Sequence, residues 1–347
     1  MAYTDIDKPS DYFNTVLYTG NASTQSITGV GFSPDFIWGK NRSSVTHHAL
    51  VDTVRGNTKY VKSSTNAAEA TITNMVTAFG SDGFSLGADS DMNGSSANQV
   101  AWNWKAGTSF TNDASATGIG SIDSTGSVNT DAGFSIISYT GTASAATVAH
   151  GLGAVPKMII VKTRGSSGDW SVYHSSLGNT KNLKLNTTAA EQTSASYWNN
   201  TTPTSSVFTI NDEGNVNGSS VAMIAYCFAE KQGYSKFSSY SSNSNADGPF
   251  VYLGFKPAFL IVKCTTAAEG WAIMDSTREP TNDGSFATLS ANTNGSEGSL
   301  VIDFLSNGFK PRQVSGQINK SGSHSYIYMA FAEQPFVTST GVPATAR

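Results

Sequence analysis

The segment Phe32-Ser-Pro-Asp-Phe-Ile-Trp-Gly-Lys40 decides how the rest of the chain is read, because it comes back twice. It returns as Leu152-Gly-Ala-Val-Pro-Lys-Met-Ile-Ile-Val-Lys162 and as Phe255-Lys-Pro-Ala-Phe-Leu-Ile-Val-Lys263. Pro34, Pro156 and Pro257 mark one place, and a lysine follows each of them six residues later. Ile159-Ile-Val161 and Leu260-Ile-Val262 are apolar at consecutive positions, which predicts a strand covered on both faces. Proline at the first residue of such a strand withdraws no donor that the ladder needs.

Other landmarks keep the same offset. Phe13-Asn-Thr-Val-Leu-Tyr-Thr-Gly20 matches Phe134-Ser-Ile-Ile-Ser-Tyr-Thr-Gly141, and Tyr234-Ser-Lys-Phe-Ser-Ser-Tyr240 is a weaker third version. Ala67-Ala-Glu69 matches Ala189-Ala-Glu191, and Asn93-Gly-Ser-Ser96 matches Asn217-Gly-Ser-Ser220. Each unit closes on an aromatic strand: Val100-Ala-Trp-Asn-Trp104, Ile224-Ala-Tyr-Cys-Phe228 and Ile327-Tyr-Met-Ala-Phe331. Trp170 and Trp271 share a position at which the first unit has His48. Units of this length match the size of a sandwich domain and exceed that of a solenoid repeat. The expectation is an all-β chain of tandem β-sandwich domains, of jelly-roll or lectin-like type, in three divergent copies. The copies are placed at 1–107, 133–232 and 233–347, the last carrying a C-terminal tail read as extended or frayed from 338 onward. Residues 108–132 are rich in Ser, Thr, Gly and Asn and read as a linker or surface excursion. Gly83-Phe-Ser-Leu and Val207-Phe-Thr-Ile are expected to begin the final hairpin of their units, turning at Asn93-Gly94 and Asn217-Gly218.

The 347 residues carry only 13% charged side chains but 38% hydrophobic and 11% aromatic ones, which suits a sheet-rich globular chain. The formal net charge is −4 and no basic block is present, so nucleic acid is not an expected partner. No apolar run approaches the roughly 20 residues of a membrane helix, so no membrane insertion is expected. The opening Met1-Ala-Tyr-Thr-Asp lacks a charged-then-apolar leader, which points to synthesis in a cytoplasm without a signal peptide. Cys227 and Cys264 sit in apolar runs and read as buried free thiols, with a single bridge as the weaker alternative.

With these motifs in view, the chain resembles a group of tailed-phage proteins, many of them marine. The similar stretches are Lys8-Pro-Ser-Asp-Tyr-Phe-Asn-Thr-Val-Leu-Tyr-Thr-Gly20, Val30-Gly-Phe-Ser-Pro-Asp-Phe-Ile-Trp38, His48-Ala-Leu-Val-Asp-Thr-Val-Arg-Gly56, Ser81-Asp-Gly-Phe-Ser-Leu86 and Val100-Ala-Trp-Asn-Trp-Lys105. Gly133-Phe-Ser-Ile-Ile-Ser-Tyr-Thr-Gly141 and His150-Gly-Leu-Gly153 fit the same group. The likeness is close over the first two copies and loose over the third. The group is described as virion structural or fibre-like, so the resemblance implies a place in a phage particle and no mechanism. It also implies other virion proteins of capsid or tail as partners and a homo-oligomer, the trimer being common in phage appendages.

Candidate chemistry is thin. Asp89-Ser-Asp91-Met-Asn93-Gly94 has the alternating oxygen ligands that open a calcium loop, but Val100 stands where the closing Glu belongs. A polar hairpin turn is the favoured reading there. Five histidines show no zinc spacing, and Gly-x-Ser-x-Gly is absent. Asp52 and Arg55 match Asp275 and Arg278, a pattern that predicts a local ion pair of modest weight. Most tryptophans sit on repeated strands and read as core. Tyr197 and Trp198 lie in a Ser/Asn-rich stretch and are the candidates for stacking on a sugar ring. No cofactor and no enzymatic activity are expected. Two function classes remain: a structural component on the particle exterior (head decoration, knob or fibre segment), or a receptor-binding module contacting host surface glycans.

Overall fold

A computed structural model describes residues 4 and 6–344; residues 1–3, 5 and 345–347, and with them most of the opening five residues and the end of the tail, lie outside the described residues. The chain is all-β, with antiparallel sheets forming sandwich units and no barrel. One strand order occurs in three sheets. The first is Phe13–Thr19, Asn98–Trp104, Phe36–Asn41 and Ala49–Asp52. In the second, Phe134–Thr140, Ala222–Phe228, Met158–Thr163 and Ser171–His174 stand in the same places. Ser235–Ser241, Ser325–Pro335, Phe255–Cys264 and Trp271–Asp275 take them in the third.

Period-two alternation splits each of these sheets between two cores. In the first, Phe36, Trp38, Trp102 and Trp104 point one way while Ile37 and Ala101 point the other. The second face is covered by a smaller sheet of Gln25–Thr28, Gly83–Leu86 and Val76–Gly80, which brings Ile27, Phe84 and Leu86. The other two units repeat this division. Ile159, Val161 and Cys227 face a local core, as do Leu260, Val262 and Cys264 in the third unit. The opposite faces of all three sheets meet in a common core, where Trp104 and Phe36 join Ile160, Tyr226 and Phe228 of the second unit and Phe259, Met329 and Phe331 of the third. Aromatic contacts cross every boundary: Phe36 stacks on Tyr226 at 4.4 Å between centroids, Phe228 meets Phe331 at 6.1 Å, and Phe13 stacks on Phe331 at 5.1 Å.

Several sequence expectations change in detail. Pro34 and Pro156 precede their strands by two residues, whereas Pro257 lies inside Phe255–Cys264 at a register shift, a bulge that tolerates its missing N–H. Residues 108–132 are not an unstructured linker: Thr108–Asn112 and Ser124–Asn129 form a hairpin that extends the second sheet. Gly83–Leu86 and Val207–Ile210 belong to the outer sheets and do not pair with the closing strands. Ser90–Asn93 and Gly214–Asn217 are single helical turns that carry the chain from one layer to the other, so the expected hairpins do not form. The two cysteines are free and buried in different cores. At the C-terminal end, Val337 bridges Pro343 and Ser339 N–H donates to Asp7 Oδ1, so the described part of the tail is tied down.

A shared core makes the units interdependent. The whole chain is expected to unfold in one calorimetric transition. The excised segment 133–232 would expose one apolar sheet face and should bind a hydrophobic dye and lack a transition of its own. A fragment melting cooperatively at the temperature of the intact chain would contradict this.

Candidate functional site

The side chains with the most chemistry lie at the boundaries between units. Burial of Lys40, Lys162 and Lys263, the lysines that follow the three prolines, is complete. Lys40 Nζ donates to the carbonyls of Asn41 and Ser44 at 2.6 and 3.3 Å. Lys162 reaches Gly168 and, across a boundary, Asn66 at 2.9 and 3.3 Å. Lys263 reaches Cys264 and, across the next boundary, Thr188 at 2.6 and 3.2 Å. Burial pulls each ammonium down to about 8. These lysines gather loop carbonyls and present no amine to solvent.

Three bonding patterns recur around the molecule. Glu69, Glu191 and Glu297 donate their N–H groups to the carbonyls of Arg164, Thr265 and Arg42, each in the adjacent unit. His48, Trp170 and Trp271 stand at one position and reach the carbonyls of Ser290, Lys62 and Lys184 at 3.1, 2.9 and 3.0 Å. Asp52 holds Arg55 at 2.6 Å and accepts the Tyr226 hydroxyl at 2.8 Å, while Asp275 holds Arg278 and accepts Trp102 Nε1 at 2.9 Å. Glu69 then clasps Arg164 at 2.8 Å, and Glu297 clasps Arg42 at 2.7 Å. Arg55 and Arg278 also touch these glutamates, at 3.4 and 2.8 Å.

The boundary between the second and third units lacks this ionic chain. His174, Leu177 and Thr265 occupy the places of the aspartate and the two arginines. His174 Nε2 meets the Tyr328 carbonyl at 3.1 Å, and Glu191 turns to Lys181 of its own unit at 2.8 Å. Where they exist, the Asp–Arg pairs have fully buried side chains, so the modest weight expected for a local pair does not apply. Burial alone would lower the Arg55 guanidinium; the attraction of Asp52 outweighs it and the net shift is upward.

The candidate calcium ligands serve the fold. Asp89 caps the turn Ser90–Asn93, accepting the Asp91 N–H at 3.0 Å. The Asn93 amide is buried and engaged: Oδ1 accepts the Asn21 N–H at 2.8 Å, and Nδ2 donates to Ser23 and Gly87 carbonyls at 2.6 and 2.7 Å. Asn217 repeats this with Thr142, Ser144 and Asn211. Asn319 is the third member, bonding the Asn243 N–H and the Asn245 carbonyl. Among the described residues no group of three His, Cys, Asp or Glu side chains is disposed to hold a metal.

Tyr197 and Trp198 correct the sugar-stacking expectation. They lie on the turn Ala195–Trp198 with 3% and 1% exposure, inside the second unit's local core. Their polar neighbours are turn-makers: Ser194 caps the helical turn, and Asn199 and Asn200 take φ of 50° and 49°. Loop-like composition therefore marked the ends of a turn whose aromatic side faces inward. Sequence reading missed Glu297 and Asn319, because the third unit's altered loop lengths break the offset that exposed Glu69, Glu191, Asn93 and Asn217. Of the open surface, one groove of about 700 Å³ on the second unit is lined by the hydroxyl-bearing residues Ser121, Thr125, Ser138, Thr140 and Thr142 among others.

Fold and side-chain use together define a multi-unit β-sandwich protein whose buried polar groups join its units. Over residues 8–335 the chain belongs to the family described as Domain of unknown function (DUF7483), and the match runs through all three units. Comparison with curated proteins found no match.

Two predictions follow from this geometry. Asp275→Asn takes the fully buried carboxylate from Arg278, leaving it the partly exposed Glu297, and should cost about 3–5 kcal/mol by chemical denaturation, the scale for breaking a buried pair. Asp247→Asn, at an exposed carboxylate, should change stability by less than about 0.5 kcal/mol. Equal effects from the two would refute the assignment. The second prediction concerns acid. His48, His150 and His174 are held by burial at about 3, 4 and 4. Each accepts an N–H at Nδ1 (from Trp38, Leu152 and Ser176) and donates from Nε2 to a carbonyl, so each is neutral. The unfolded chain takes up protons near the ordinary histidine value of about 6.5. Stability is thus full above that pH and falls as pH drops toward 4. His174→Gln keeps a donor and an acceptor without titrating, and should flatten the pH dependence of the denaturation midpoint between pH 6.5 and 4.5. An unchanged profile in that variant would count against the reading.

Proposed function

We propose that the chain is a non-enzymatic structural protein of a bacteriophage particle, displayed on the exterior as a head decoration, knob or fibre segment. The observation that carries this reading is the use of Asp52, Arg55, Asp275, Arg278, His48 and His174, all buried, in joining sheets to one another. Side chains able to do acid–base work are spent on holding three sheets around one core. Such a body resists local opening, because loosening one unit uncovers the faces of the other two. The resemblance to tailed-phage structural proteins supplies the setting.

A second reading is contact with host surface glycans. Tyr197 and Trp198 are too buried to take part. The hydroxyl-lined groove beside Ser138 and Thr140 is the surface that favours this reading, since hydroxyls exchange hydrogen bonds with a polyol.

The test is particle composition. Mass spectrometry of purified particles should detect the chain at a fixed copy number, and antibody labelling in the electron microscope should place it on the outside. Recovery of the chain only as free protein in the lysate would defeat the structural reading. A glycan array probed with the intact chain separates the second reading from the first.

A further inference from the structure

The second unit differs from the others at one edge of its sheet. Strand 134–140 carries an added antiparallel strand, Ser124–Asn129, which pairs in turn with Thr108–Asn112. The equivalent strands Phe13–Thr19 and Ser235–Ser241 pair on one side only among the described residues. Bonds from Lys105 N–H to Tyr12 C=O and from Gly20 N–H to Ala97 C=O set the phase in the first unit. Even-numbered residues bond strand 98–104, so Phe13, Thr15, Leu17 and Thr19 direct their backbone outward. Their counterparts Phe134, Ile136 and Ser138 meet Asn129, Ser127 and Thr125.

This open edge borders a cleft of about 290 Å³ between the first and third units, lined by Phe13, Asn14, Thr15, Ala258, Ser276 and Thr277 among others. The same place between the first and second units is filled. Thr53 N–H donates to Asp35 C=O as Ser276 N–H donates to Ala258 C=O, which equates the two walls. Against the filled wall, Asp35 Oδ2 accepts the Ala106 N–H, and Gly107 N–H donates to Ser127 Oγ. Side chains stand in for the added strand at the open edge. Asn14 Oδ1 takes the Thr15 N–H at 2.9 Å, where a strand carbonyl serves Ile136, and Gln25 Nε2 meets the Thr19 carbonyl at 3.3 Å. Between them Leu17 is 40% exposed. The third unit's edge is held harder, by the Glu230 carboxylate on the Phe237 N–H.

We propose that the edge of strand 13–19 and its cleft bind an extended segment of another polypeptide, adding an antiparallel strand as Ser124–Asn129 does in the second unit. Backbone bonds provide the attachment, and alternate side chains select the partner. The filled copy shows the chemistry that fits. Its strand reads Ser-Thr-Gly-Ser-Val-Asn, uncharged and small, and a Cβ built on Gly126 would lie 1.9 Å from the Ile136 carbonyl oxygen. The charges in the cleft, Lys256 and Glu333, are paired with each other at 2.7 Å and leave no net charge to attract an ionic ligand. The partner strand is therefore neutral, rich in hydroxyl side chains, with glycine at its closest approach. The groove stands on its own geometry and does not depend on the particle assignment.

The probe is a labelled, end-capped peptide of residues 122–130, titrated into the full chain and read by fluorescence anisotropy. Saturable binding is expected. Leu17→Pro, which removes an outward N–H and no bond to strand 98–104, should weaken it at least tenfold with an unchanged melting temperature. Thr277→Trp, on the exposed rim, should fill the cleft and do the same. Ser239→Pro, on the third unit's edge, should leave binding unaltered. No saturable binding, or binding indifferent to both Leu17→Pro and Thr277→Trp, overturns the proposal. A dimer of the chain that the peptide dissociates and Leu17→Pro abolishes would overturn the choice of a foreign strand in favour of a second copy.

Discussion

The structure depends on one packing constraint: three sheets are apolar on both faces, and each has a small outer sheet to cover only one of them. The uncovered faces carry Phe36, Trp102 and Trp104, then Ile160, Tyr226 and Phe228, then Phe259, Met329 and Phe331. Leaving any of these in water forfeits about 1.5–3 kcal/mol per large side chain. Three such faces closed on one another solve the problem together in one shared core. The units are thus tandem in sequence and joined in space.

Polar groups inside that arrangement follow from the same closure. Loops from neighbouring units are brought beneath the surface, and their carbonyls need donors. Lys162 and Lys263 reach across boundaries to supply them, and Trp170, Trp271 and His48 do so from the adjoining strand. Two boundaries add Asp–Arg–Glu–Arg chains. The third has His174, Leu177 and Thr265 in their places, and among the described residues no such ionic chain forms there. Buried ion pairs add little net energy over apolar packing but penalise mispairing heavily. Their presence at two boundaries makes those two chemically unlike the third.

This use of charged residues bears on the functional reading. Groups that a sequence search would nominate for catalysis or metal binding turn out to cap turns or tie units together. The family match spans residues 8–335 and so covers all three sheets. Backbone at sheet edges and surface hydroxyls, as beside Thr15 and Thr140, are among the groups left at the surface.

The sequence by itself determined the repeated apolar and aromatic strands and the positions at which the units correspond. Alternation and consecutive apolar runs are local properties, written into Ile159-Ile-Val161 as plainly as into Leu260-Ile-Val262. It also located the lysine after each proline and the Asp–Arg pairs, without revealing that they are buried. Tertiary structure alone decided which face of each sheet meets which, because that choice rests on contacts between residues a hundred or more positions apart. It decided as well that Tyr197 and Trp198 turn inward, that Ser124–Asn129 joins a sheet, and that Glu297 and Asn319 complete sets of three. A local sequence window carries propensity and period; burial is a property of the closed assembly, and it exists only when all three faces are in place.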